Sequence, residues 1–184
     1  MPLLVLGLNH ATAPLELRER AAFAPAELDG ALRDARKVEG LEEIVVLSTC
    51  NRTELITSGQ HSMDSLAQWL GTRSAIDLDT LSGHGYRLEE TEAVRHVFRV
   101  AAGLDSMVLG EPQILGQVKQ AFSDAETAEA VGPTLRRLFQ KANEAAKRAR
   151  SQTSIGRNPV SFAFAGVRLA EQIFEDVTQQ TALL

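Results

Sequence analysis

The chain has 184 residues, is 44% hydrophobic and 23% charged, and so reads as an ordinary globular protein with room for one core and a helical extension. Its single cysteine excludes an internal disulfide framework and a multi-cysteine metal site, and the apolar N-terminal run that ends by Leu8 is too short for a signal-peptide core or a membrane span, which together fit a cytoplasmic protein without a bound metal. The net charge of −5 conceals a basic segment: Gly132 to Asn158 carries seven basic residues and one acid, either a handle for nucleic acid or a solvated helix face.

Along the chain, Leu3 to Asn9 is apolar and strand-like. A helix is expected from Pro25, where Leu28, Ala31, Leu32 and Ala35 recur at helical spacing. Glu43 to Thr49 holds the β-rich run Ile44-Val45-Val46-Leu47, and a strand resumes over Thr53 to Ser58 after a tight connection. Ser62 caps a helix bearing Met63, Leu66, Ala67 and Leu70, and Tyr86 to Leu88 forms a last strand. The order β-α-β-β-α-β predicts a ferredoxin-like α+β sandwich. An all-helical region follows, with helices over Glu89 to Gly103, from Pro112 to about Ala128, and along the thin apolar stripe Leu135, Leu138, Ala142, Ala145 and Ala149. Gly156-Arg157-Asn158-Pro159 breaks the pattern, and a further helix is expected from Ser161 through Phe162, Ala165, Leu169 and Ile173.

The chemistry-bearing candidates are few. Cys50 lies where a strand runs into a turn, and strand ends present side chains to clefts. A cysteine attacks as the thiolate, which Thr49, Asn51 and Arg52 can support with donors and charge; Arg52 can instead grip a substrate carboxylate with its planar fork. Pattern alone leaves Cys50 open to the plainer reading of a small buried hydrophobe. His10, His61, His84 and His96 compete for an acid–base role, and composition does not choose among them. Glu111 caps and Pro112 starts the helix after Gly110, and its free amides suit an anion or a developing oxyanion. Gln113 and Gln117, four apart, share one face of it.

Three blocks then carry a resemblance. Gly7-Leu8-Asn9-His10-Ala11-Thr12-Ala13-Pro14, Leu47-Ser48-Thr49-Cys50-Asn51-Arg52-Thr53-Glu54 and the run from Gly103 to Lys119 are similar, in order, to the signature blocks of the glutamyl-tRNA reductase family. The resemblance spans essentially the whole chain. It implies that Cys50 attacks the ester joining glutamate to the tRNA end, giving a thioester that NADPH reduces to glutamate-1-semialdehyde for tetrapyrrole (porphyrin) biosynthesis. It further implies that Thr49, Asn51, Arg52, Ser106, Glu111, Pro112, Gln113 and Gln117 contact the substrate, and that His96 is the family's activity-linked histidine, acting on a proton or polarising a bond.

By the same resemblance, residues 1–158 form the catalytic domain with its helical region, and 159–184 begin a long connecting helix. No Gly-x-Gly-x-x-Gly follows a strand, so the NADPH-binding and dimerisation domains are expected to be absent and no cofactor to bind this chain. The full-length enzyme is expected to be a homodimer, with glutamate-1-semialdehyde aminomutase as a candidate partner, and this chain a monomer that acylates Cys50 and loses the thioester to water. Two other readings stand beside this one: a tRNA-binding or regulatory module without catalysis, resting on the basic segment, and a cysteine hydrolase of another kind.

Overall fold

The computed structural model describes residues 2–156 together with residues 170, 173 and 174. Four strands, β1 (Leu3–Asn9), β2 (Leu41–Ser48), β3 (Arg52–Gly59) and β4 (Tyr86–Glu89), form one sheet in the order β2-β3-β1-β4. Every neighbouring pair is antiparallel. β1 and β2 are therefore separated by β3, and β3 and β4 by β1, which is the split arrangement expected of a ferredoxin-like sandwich. β1 is the hub. It packs against helices on both sides and all seven of its residues are buried, which explains its nearly continuous apolar run.

The first crossover carries α1 (Leu15–Ala21) and α2 (Pro25–Ala35), the second α3 (Met63–Ser74) and α4 (Leu78–His84). Ser62 caps α3 as the sequence suggests, accepting from Ser65 N. Neither α1 nor α4 is evident in the sequence, because each is only seven residues long and neither presents a full apolar stripe. α1 buries Leu17 and Ala21 on one face, while α4 buries Leu81 and is started by Asp77, whose carboxylate accepts from Thr80 N at 2.8 Å.

Three longer helices follow among the described residues: α5 (Glu90–Ala102), α6 (Pro112–Thr127) and α7 (Pro133–Gln152). α7 is fastened to the sheet by a long-range cap. Glu43, buried on β2, accepts from the amides of Gly132, Thr134 and Leu135 at 2.8–3.1 Å, satisfying donors that the start of a helix leaves free. Beside it, Ile44 N donates to Ala130 O at 2.9 Å. Ala93, Val97, Val100 and Ala101 of α5 and Leu135, Leu138, Ala142 and Ala146 of α7 join the strands in one core. Among the described residues no helix is long and apolar enough to cross a membrane. The helix expected from Ser161 falls outside the described residues.

Candidate active site

The sheet delivers Cys50 at the tip of a tight turn. The last ladder pair of the β2–β3 hairpin is Ser48 with Thr53, and Thr49 N then donates to Arg52 O at 2.8 Å. Thr49 Oγ1 closes the turn from inside by accepting from Asn51 N and Arg52 N, each at 3.2 Å. Two outside contacts hold this turn in place: His10 N donates to Asn51 O at 2.9 Å and Arg18 Nη1 to Cys50 O at 2.5 Å. Cys50 itself is exposed and in no disulfide, so the buried-hydrophobe reading does not apply.

Opposite the turn stand the loop 103–111 and the start of α6. Thr49, Cys50, Asn51, Arg52, Ser106, Glu111, Ile114 and Gln117 line one small cavity. Seven of the ten residues expected at the site thus meet there, joined by Ile114, whose apolar side chain gave the sequence no chemical signal. Ser106 Oγ is buried in this wall with no hydrogen-bond partner among the described residues. Glu111 occupies the N-cap position of α6 but its side chain makes no capping bond, contrary to expectation, and Pro112 is the first helical residue. The first amides of α6 consequently keep their donors. Pro112 and Gln113 are exposed and stand outside the cavity lining, so of the two glutamines only Gln117 reaches the site. Gln117 also borders a wider groove of about 510 Å³ between α2 and α6, walled by Phe23, Leu28 and Ala121.

Behind the turn lies a buried charge cluster. Arg52 is only 2% exposed and Glu54 1%, and Arg52 Nη1 donates to Glu54 Oε1 at 2.6 Å. Asp105 Oδ2 lies 3.3 Å from both terminal nitrogens of Arg52, and Nη2 also donates to Asp105 O. The fork expected to serve the substrate is therefore already shared between two protein carboxylates. Glu54 Oε1 accepts twice more, from Tyr86 Oη at 2.6 Å and from His96 Nε2 at 2.9 Å. Burial works against a charged Glu54, yet the bonds and charges of His96, Arg52 and Tyr86 outweigh it and hold the carboxyl down to about 2. Burial, together with the Glu54 charge, pushes the Tyr86 hydroxyl well above its ordinary range. His96 sits in this cluster and is not among the residues lining the Cys50 cavity.

The other histidines separate cleanly. His61 is buried and bonded to Thr57 Oγ1 at 2.9 Å, and His84 Nδ1 meets Thr12 O at 3.0 Å. His10 lies nearest the turn. Burial first, then the charges of Arg52 and Arg18, lower its pKa, so it is neutral near pH 7. Among the described residues no group of three or more potential metal ligands comes together.

The N-terminal domain model of glutamyl-tRNA(Glu) reductase matches residues 6–153, most of the chain and all of the geometry above. The chain belongs to the glutamyl-tRNA reductase family. Glutamyl-tRNA reductases of Pseudomonas putida and Chromohalobacter salexigens are 51% and 52% identical to it across the whole chain. The glutamyl-tRNA reductase structure from Methanopyrus kandleri superimposes with a TM-score of 0.74 at 38% identity, over 92% of this chain and 39% of that one. The chain spans 44% of the length of the two bacterial relatives.

Within this glutamyl-tRNA reductase fold, four residues that matter to the site escaped sequence reasoning: Arg18, Glu54, Tyr86 and Asp105. Only Gly7 hinted at Tyr86. It pairs with Glu54 on one side and Tyr86 on the other, and a Cβ on it would lie 2.6 Å from the Tyr86 ring. The glycine opens the gap through which the tyrosine crosses β1.

Proposed function

We propose that this chain performs the acyl-transfer step of the glutamyl-tRNA reductase reaction, with Cys50 as nucleophile. The observation that carries the reading is the meeting of an exposed cysteine, an unpartnered Ser106 hydroxyl and the uncapped start of α6 in one cavity. The thiol first loses its proton, and neutral His10 beside the turn is a group able to accept it. The thiolate attacks the ester carbon of glutamyl-tRNA and forms the carbon–sulfur bond. The free amides of α6 and Ser106 Oγ support the negative oxygen. As the oxygen collapses back, the carbon–oxygen bond to the tRNA breaks and the released terminal oxygen takes a proton, giving free tRNA and a glutamyl thioester on Cys50. Thr49, Asn51, Glu111 and Gln117 surround the glutamyl group, while Pro112 and Gln113 shape the helix start from outside.

The family takes a hydride from NADPH. Among the described residues the sheet is antiparallel throughout, and β1 passes into α1 through His10-Ala11-Thr12-Ala13-Pro14 without a glycine. A glycine-rich cradle at a parallel strand–helix junction does not fit here, so no reduction step is assigned to these residues. Unreduced, the thioester passes its glutamyl group to water. The reading sets the reaction in the cytoplasm with glutamyl-tRNA as the partner, and assigns the homodimer and the glutamate-1-semialdehyde aminomutase contact to full-length members of the family.

Mixing the chain with glutamyl-tRNA, quenching in acid and measuring intact mass tests this. A glutamyl adduct on the wild type, absent from Cys50→Ser, supports the nucleophile; no adduct with tRNA still bound overturns it. That second result would favour a tRNA-binding module, a reading supported by the exposed row Arg136, Arg137, Lys141, Lys147 and Arg148 along α7.

A further inference from the structure

We propose that Tyr86 and His96 are positioning residues that act through Glu54, fixing the carboxylate that aims Arg52 at the main chain of Asp105 and so seating the 103–111 loop against Cys50. The proposal rests on the acyl-transfer reading for its consequence, but its geometry stands independently.

Glu54 Oε1 is the common acceptor for Arg52, Tyr86 and His96. A carboxylate this deeply buried has no water to replace a lost donor, so removing one lets it turn toward those that remain. Arg52 is equally buried and follows it. Its Nη2 donates to the Asp105 carbonyl, in the middle of the loop that carries Ser106 and Glu111 to the cavity.

That loop has few other anchors. Gly110 N closes its base on Gly103 O at 2.8 Å, both glycines being in the left-handed region at φ 77°. Arg150 Nη2 holds its exit at Glu111 O, at 2.7 Å. Between these points Leu104, Met107 and Leu109 are turned to solvent, so apolar burial contributes little to holding the centre down. Arg52 is the buried polar tie there; Arg99, half exposed, adds only a longer contact of 3.9 Å to Asp105 Oδ1. The donor geometry also defines the histidine. Glu54 is ionised and accepts, so Nε2 carries the N–H that faces it, and this nitrogen is committed to the cluster. His96 therefore serves the site by orientation, in place of the acid–base or polarising role expected from the resemblance.

The test compares Tyr86→Phe, His96→Leu and His96→Gln in the 184-residue chain, reading amide hydrogen exchange over residues 103–111 and the rate of Cys50 acylation by glutamyl-tRNA. Tyr86→Phe keeps the ring and removes only the hydroxyl. His96→Gln keeps an N–H for Glu54 but carries no titratable group. The expected result is that Tyr86→Phe and His96→Leu each speed exchange in the loop about tenfold and slow acylation by a similar factor, while His96→Gln stays near wild type. Combining Tyr86→Phe with His96→Leu should add little, because both act on one carboxylate. If His96→Gln acylates as slowly as His96→Leu with loop exchange unchanged, the histidine moves a proton and the proposal fails. Unchanged loop exchange in every variant also overturns it. The exchange measurement needs no substrate, so it gives its answer even if the wild type forms no thioester.

Discussion

Tyr86 and Glu54 sit on strands that are not neighbours, yet the tyrosine hydroxyl donates to Glu54 Oε1 at 2.6 Å by passing over β1 at Gly7. A side chain at position 7 would occupy the path. In Gly7→Ala the new Cβ meets the Tyr86 ring, and the overpacking should cost about 1–3 kcal/mol with the tyrosine bond displaced. Urea unfolding monitored at both Gly7→Ala and Tyr86→Phe should show the alanine variant to be the less stable.

The Glu54 carboxyl has an ordinary value of 4.5; burial alone would raise it, but His96, Arg52 and Tyr86 bring it to about 2. The native state thus binds this proton less readily than the unfolded chain. Its contribution to stability is complete above about pH 4.5 and is lost as the pH falls toward 2. Unfolding free energy measured across that window should decline in the wild type, and Glu54→Gln should show a flatter acid limb from a lower plateau at neutral pH.

Glu43→Ala removes the acceptor shared by three amides at the start of α7. Leaving them without a partner in a partly buried site should destabilise the chain by about 2–4 kcal/mol, read as a lower urea midpoint. Cys50 alkylation by iodoacetamide in the folded variant should be unchanged, since the hairpin turn lies at the other end of β2.

Ser106→Ala deletes a hydroxyl that has no partner among the described residues. Stability should change by less than about 0.5 kcal/mol, while acylation by glutamyl-tRNA slows by about tenfold or more. A loss of stability without a change in acylation would remove Ser106 from the site.

Arg137→Glu combined with Lys141→Glu reverses two exposed charges on α7. If this face meets the tRNA backbone, affinity should fall at every salt concentration and the slope of log K against log salt should shrink by roughly 1–2. Lys141 also pairs with Glu144 at 2.7 Å and Arg136 with Glu126, so part of the row is already partnered within the protein. An unchanged slope would mark the face as ordinarily solvated.

The strands were legible as short apolar runs and the long helices as apolar stripes: the whole of Leu3–Asn9 is β1, the Pro25 and Pro112 helix starts fall where the pattern put them, and the stripe from Leu135 lies on α7. Short helices escaped, since seven residues give α1 and α4 too little face to repeat. At the site, the residues that touch the cavity were legible from the signature blocks, while the groups behind them were not. Glu54 is two residues from Arg52 on the same strand, but Tyr86 is 32 and His96 42 residues from Glu54, and Asp105 is 53 from Arg52; those meetings depend on strand order and register, which no local pattern states. Glu43 is the same case at 89 to 92 residues.

The bond from Ile44 N to Ala130 O has a further meaning for how this molecule behaves among its own copies. β2 is an outer strand of the sheet, and an outer strand with free amides is a template on which another chain can extend. Here one amide of that row, Ile44 N, is taken from within by the connection between α6 and α7. The opposite border, β4, is only four residues long. The sheet therefore holds an open turn at one end while its β2 border is pinned near the other end and its β4 border is too short to stack strands of neighbouring molecules.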